Sequence, residues 1–285
     1  MLLRGLMAAT TFTSPLDLFL ASEKGCYFRV SDMSTLFTGY GGQTAITTHL
    51  QPLYCILDKR FGGALSSEII TDVGFDNPAA WSAGTGWVVS GGLGSHSGAT
   101  PEYLKQGTPQ QYALYNFVPN ITVANGSNFQ TFYAGQSTSS ATINTTGVKS
   151  LYIRGYTGSL KFATRGVGVT AITSLSVKKV LGNHGWQGIN PGFQPLYKVS
   201  GAVKYIDFVD GNDVLQIGFP DGAPGPNCTV AYASPGVGAV ILTGQTVGTD
   251  YAWSTDFAAL VIVDRPLTAG ETAGLTTWLN AEVGL

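Results

Sequence analysis

The sequence predicts an all-β protein that folds as stacked β-sandwiches and closes on one short C-terminal α-helix. Three observations carry this. Charged residues make up only 11% of the 285 residues, against roughly 25% in an average soluble domain. Glycine is abundant at 38 residues, and Ser and Thr are frequent. Short apolar or alternating runs recur, each bounded by Gly, Asn, Ser or Pro, at close to the ~8–12-residue spacing of a sandwich.

The elements follow in order. Residues 1–25 have no strong periodicity, and Pro15 with Leu16, Leu18, Phe19 and Leu20 reads as a segment that docks on another surface. Ser31 is placed to N-cap a short helical turn over the following residues, with Asp32 in its first turn. A strand is expected over Leu53–Leu57, closed by charges and by Gly62-Gly63. Further strands are read at 87–92, 111–118, 120–124, 128–135, 151–156, 160–164 and 172–180. In the last of these, Leu175 and Val177 alternate with polar residues, which marks one buried face. A Gly/Pro/Asn-rich connector follows at 182–197, and strands resume at 203–209, 213–219, 228–233, 239–244 and 257–264. Beyond Pro266, Thr268 and Glu271 form a T-x-x-E capping box. Leu275, Trp278, Leu279 and Val283 then recur at helical spacing, with Trp278 and Leu279 expected to pack on a sheet.

Composition removes several function classes. A net charge of −2 with 15 cations lacks the basic footprint of a nucleic-acid binder. No run approaches the ~20 apolar residues of a membrane-spanning helix, and no signal peptide is read at the N-terminus. The 44% hydrophobic content supports a real core. Cys26, Cys55 and Cys228 form neither a disulfide framework nor a C-x-x-C zinc pattern and read as buried small residues.

Widely separated segments together resemble structural proteins of tailed-bacteriophage particles. Residues 31–63 carry S-x-x-S-T-L-F, a Gly/Thr turn and then Leu57-Asp58-Lys59. Gly182-Asn183-His184 with Gln187 supplies a second part that normally runs on directly from the first. Tyr205-Ile206-Asp207-Phe208 with Asp210-Gly211-Asn212-Asp213, and Asp264-Arg265 through Leu279-Asn280, complete the set. Gln194-Pro195 stands where Arg-Pro is usual, and Asn212 where Asp is usual.

The resemblance implies a concanavalin/laminin-G-like jelly roll from 26–66 plus 182–285, preceded by the docking segment 1–25. The block 67–181 is then an insertion. Its opening, FDNPAAWSAGTGWVVSGG, is similar to that of carbohydrate-binding-module-like jelly rolls. The implied fold is two jelly-roll β-sandwiches, one inserted in the other, and strands Leu53–Leu57 and Val203–Phe208 are expected to share a sheet. The implied function is a non-enzymatic virion component of the tail, baseplate or fibre apparatus, in contact with other virion proteins, with copies of itself and with host glycans. Two alternatives stand beside it: a head-surface decoration or head-fibre protein, and a secreted carbohydrate-active enzyme or its binding module.

Candidate sites are few. A glycosidase needs two carboxylates flanking a sugar cleft. Of the five Glu, only Glu102 falls in a sandwich loop, and the Asp residues cluster at turns, so no catalytic residue is assigned. Residues 92–98 place His96 beside a Ser-bearing turn that does not open a helix, unlike a nucleophile elbow. His184 is expected to hold the connector through bonds from its ring nitrogens to backbone carbonyls. No cofactor is expected, apart from a structural calcium of the kind such jelly rolls carry, for which Asp72, Asp76 and Asn77 are the candidate ligands. Asp210, Asn212 and Asp213 read first as a hairpin turn. Trp81, Trp87 and Tyr103 are the candidate glycan-stacking rings, with Trp81 and Tyr103 expected to be exposed in loops.

Overall fold

The computed structural model describes residues 12–20, 23–39, 44–97, 102–124, 128–132, 139–155, 158–165, 170–187, 193–209 and 211–285. Tyr133 and Asp210 lie outside them. The chain forms two β-sandwiches, one inserted in the other, and every strand pair among the described residues is antiparallel.

The outer sandwich uses residues from both ends of the chain. Its four-stranded sheet runs in the order Gly25–Arg29, Ala259–Val263, Gly225–Ser234, Gly238–Val247. Facing it is a six-stranded sheet ordered Asp250–Trp253, Leu215–Gly218, Gly185–Trp186, Cys55–Ile56, Leu36–Thr38, Thr44–Ala45. Between the sheets lie Phe28, Leu36, Ile56, Leu215, Phe219, Val230 and Ile262, all fully buried.

The inserted sandwich is built from residues 65–180. One sheet centres on two long partners, Leu114–Val123 and Thr170–Val180, flanked by Gly147–Val148, Leu151–Arg154, Leu93–His96, Trp87–Ser90 and Leu65–Glu68. The other runs Ser139–Ile143, Asn128–Phe132, Leu160–Arg165, Tyr103–Gln106, Ser82–Ala83. Phe117, Phe129 and Phe162 stack between them at 5.3–6.4 Å.

Where the insert leaves and rejoins, the Leu181 amide donates to the Ala64 carbonyl at 2.8 Å. The insert does not hang free. Tyr54, Cys55, Leu57 and Trp186 of the outer sandwich belong to the same buried cluster as the insert's core. Arg154, almost fully buried, lies over both Tyr112 and Trp186 and pairs with Asp250 at 2.5 Å.

The C-terminal helix, Ala269–Glu282, has its capping box formed by Thr268 and Glu271. It buries Leu275 and Leu279 against the outer face of the four-stranded sheet, at ~1.5–3 kcal/mol for each fully buried side chain. Trp278 packs edge-on against Tyr27 at 5.6 Å. Part of the expected docking segment lies on this same surface of its own chain: Leu18 is fully buried in that cluster and Phe12 packs against it. A Cβ on Gly274 would come within 2.6 Å of Phe12, so glycine is what lets the segment approach the helix.

Three expectations need correction. The helical turn is the 3-10 segment Met33–Thr35, capped by Asp32 rather than Ser31, because the Asp32 carboxylate reaches the Ser34 amide. The strands expected at 111–118 and 120–124 are one strand, Leu114–Val123, running through Pro119. Pro119 is tolerated because its neighbour changes there, from Leu151–Arg154 to Gly147–Val148. The missing N–H thus falls between two ladders, and the Pro119 carbonyl still accepts from Lys149 at 3.0 Å. Finally, Val203–Asp207 does not share a sheet with Cys55–Ile56. It pairs with Leu196–Ser200 in a two-stranded ribbon, which meets the stretch before Cys55–Ile56 through an isolated bridge between Pro52 and Leu196 and a hydrogen bond from the Leu53 amide to the Pro195 carbonyl at 2.8 Å.

Candidate functional site

The residues that carry the resemblance meet in space although some 125 positions separate them. Asp58 is fully buried. Its Oδ1 accepts from the amides of Tyr27 (3.2 Å) and Arg60 (3.1 Å), and its Oδ2 from the amide of Asn183 (3.1 Å). The Arg60 guanidinium adds Nε at 3.0 Å and Nη2 at 2.9 Å to Oδ2. Asn183 Nδ2 donates to the Gly25 carbonyl at 2.5 Å. One carboxylate therefore ties the first strand, the 57–60 turn and the returning connector. It is stable there because every oxygen has several donors.

His184 completes the knot. Its Nδ1 accepts from the Asp58 amide at 3.0 Å and its Nε2 faces the Val180 carbonyl at 3.2 Å. One ring nitrogen thus meets an amide rather than a carbonyl, which assigns the neutral Nε2–H tautomer. Burial pushes its pKa down, against the Asp58 charge, which raises it. Gly182, at φ +118°, is required, because a Cβ would come within 2.9 Å of the Phe61 ring and 3.0 Å of Asp58 Cβ.

A polar cleft of about 290 Å³ opens beside the knot, lined by Glu23, Lys24, Arg60, Phe61, Asn183 and Asp221 among others. Its charges are largely spent within the chain. Glu23 pairs with Arg265, Arg60 with Asp58, and Asp221 with Lys179 at 3.0 Å.

The sequence-predicted site residues are placed as follows. Trp81 is only 7% exposed. Its Nε1 donates to Asp72 Oδ2 at 2.8 Å and its ring stacks on Phe75 at 4.7 Å. Trp87 is 6% exposed, donates to the Glu102 carbonyl and packs against His96. Both rings are core, so neither offers a face to a sugar. The expectation of Trp81 as an exposed loop ring fails because its indole N–H finds a buried carboxylate. Tyr103 alone is half-buried, on the outer face of the five-stranded sheet, with Lys105 Nζ 5.9 Å and Lys161 Nζ 5.4 Å from its ring centroid.

Asp72, Asp76 and Asn77 do share one loop, but as a hydrogen-bonded turn. Asp72 accepts from the amides of Asp76 (3.0 Å) and Asn77 (3.1 Å) and from Trp81, while Asn77 caps the Pro78–Ala80 turn. A calcium ligand set needs oxygens aimed at a common centre, whereas the Asp72 oxygens already face N–H donors. No group of three or more metal-ligating side chains occurs among the described residues. Asp213 is buried and accepts from the Val209 amide at 2.9 Å, but the expected hairpin does not form: Val203–Asp207 pairs with Leu196–Ser200, and Leu215–Gly218 with Gly185–Trp186 and Asp250–Trp253 in another sheet. His96 lies on a strand rather than a loop, buried with Nδ1 against Thr164 Oγ1, and burial lowers its pKa.

The pairing of Lys105 with Lys161 escaped sequence reasoning. The signal was present in part: both lysines sit at polar positions of alternating strands, yet only the register places one opposite the other. No known protein-family model and no curated protein matches the chain.

Proposed function

We propose that this chain is a non-enzymatic structural component of a tailed-phage particle, carried in the tail, baseplate or fibre apparatus. The observation that carries the reading is the knot of Asp58, Arg60, Asn183 and His184. The residues on which the resemblance rests are occupied in holding the two halves of the outer sandwich together where the insert leaves and returns, by hydrogen bonds within the chain. A pair of sandwiches with few charged residues suits a protein packed among copies and neighbours, because unpaired charge is costly to bury at interfaces.

The test is the composition of purified particles. Mass spectrometry of particles banded from a lysate in which the gene is expressed should find the chain at a fixed, symmetric copy number. Antibody labelling should then place it at the tail. Its absence from such particles refutes the proposal, and labelling of the head surface replaces the tail assignment with a head-decoration role.

A further inference from the structure

The outer face of the five-stranded sheet in the inserted sandwich carries a feature that the fold does not require. On strands Tyr103–Gln106 and Leu160–Arg165, Leu104 and Phe162 point into the core and are fully buried. Tyr103, Lys105 and Lys161 alternate with them onto the other face and are half-buried. The antiparallel register puts Lys105 directly opposite Lys161, and Tyr103 opposite the small Ala163. Both ammonium groups converge on the one Tyr103 ring.

Like charges directly opposite one another on a sheet are destabilising. The ring quadrupole attracts each ammonium but cannot neutralise it. The ion pairs among the described residues include neither lysine. Two cations held together on one sheet face, with no ion pair to either among the described residues, are arranged for an anion from outside the chain.

We propose that Lys105, Lys161 and Tyr103 bind the anionic groups, carboxylate or phosphate, of a surface polysaccharide. This rests on the reading of the chain as a component displayed on a particle, where such polymers are what an outward sheet face meets. The two lysines make charge-assisted hydrogen bonds to one anion. Tyr103 is a positioning residue that holds both ammonium groups over its ring, so less side-chain freedom is lost on binding.

Calorimetric titration of the purified chain tests this with three probes: an oligogalacturonate, a glycerol-phosphate oligomer, and the fully methyl-esterified, neutral oligogalacturonate. At least one anionic probe should bind, more weakly as salt is raised, and the neutral ester should not. The ratio of the two anionic affinities identifies carboxylate or phosphate as the preferred group. K105Q/K161Q should weaken binding about tenfold or more. Y103L should weaken it too, and Y103F should retain it. Circular dichroism and the melting temperature check that these surface variants remain folded.

Equal binding of the neutral ester, binding unaffected by K105Q/K161Q, or no binding of either anionic probe overturns the proposal. Because the titration uses the isolated chain, its outcome is separate from that of the particle composition experiment.

Discussion

Asp58→Asn tests whether the buried knot holds the two halves of the outer sandwich together. The substitution keeps the shape and removes the charge. Asp58 is fully buried and the Arg60 side chain is 10% exposed, so the guanidinium loses its counter-charge at a largely desolvated site. Breaking one side of a buried ion pair costs about 3–5 kcal/mol. An amide cannot accept on both sides, so the Tyr27 or the Asn183 N–H is also left unsatisfied, at about 1–3 kcal/mol. These losses share one network and do not simply add, so we expect about 3–5 kcal/mol in total. Urea unfolding followed by tryptophan fluorescence measures it, and hydrogen exchange should show faster exchange at the amides of both Tyr27 and Asn183. The double variant Asp58→Asn/Arg60→Met should be less destabilised than the sum of its singles, because the stranded charge is gone. A loss below about 1 kcal/mol would place the pair with ordinary surface ion pairs and refute the reasoning.

Four further outcomes are expected. Trp81→Ala should cost about 3–5 kcal/mol as a core cavity and also strand the Asp72 carboxylate; a near-neutral melt would contradict the burial of that ring. Lys161→Gln should stabilise the chain by about 0.2–1 kcal/mol through relief of the charge pair, with the gain shrinking as salt is added; a loss in thermal scans at low salt would speak against it. Glu271 is drawn down to about 2 from its ordinary 4.5, first by its bonds from Arg265 and then, against the cost of burial, by the Thr268 cap. Its contribution is therefore complete above pH 4.5 and lost as pH falls toward 2, and Glu271→Gln should remove about 1 kcal/mol at neutral pH, read as a lower urea midpoint. His184 is held neutral below its ordinary 6.5 by burial, so the unfolded chain takes up a proton first. Stability should fall as pH drops below 6.5, by up to about 1.4 kcal/mol per unit, and His184→Gln should flatten that slope except for the part due to His96.

Much of the secondary structure was legible because its causes are local. The alternation at 172–180 lies within the strand Thr170–Val180, and Thr268 with Glu271 marks the helix start because a capping box involves residues three apart. Short strands with few apolar residues, such as Leu93–His96 and Tyr103–Gln106, lie where the sequence predicts loops. There the ladder hydrogen bonds to neighbouring strands outweigh weak local preference. The site was less legible than the fold. Tyr103 and Trp81 are both aromatic residues near glycines, and nothing local tells that one indole N–H finds Asp72 while the other ring stays at the surface.

The chain's own order of residues settled its class: a sparsely charged, glycine-rich succession of two-fold-periodic segments can bury its apolar faces only as packed sheets, and the one 3.6-periodic segment becomes the helix that covers an outer face. Which partners those segments take was decided by packing across the whole molecule. Strand order brings Asp58 to Asn183 and His184, sets Lys105 against Lys161, and carries Leu114–Val123 unbroken through Pro119. Such contacts join positions dozens to more than a hundred residues apart, and their free energy depends on burial and register, which no short window of sequence contains.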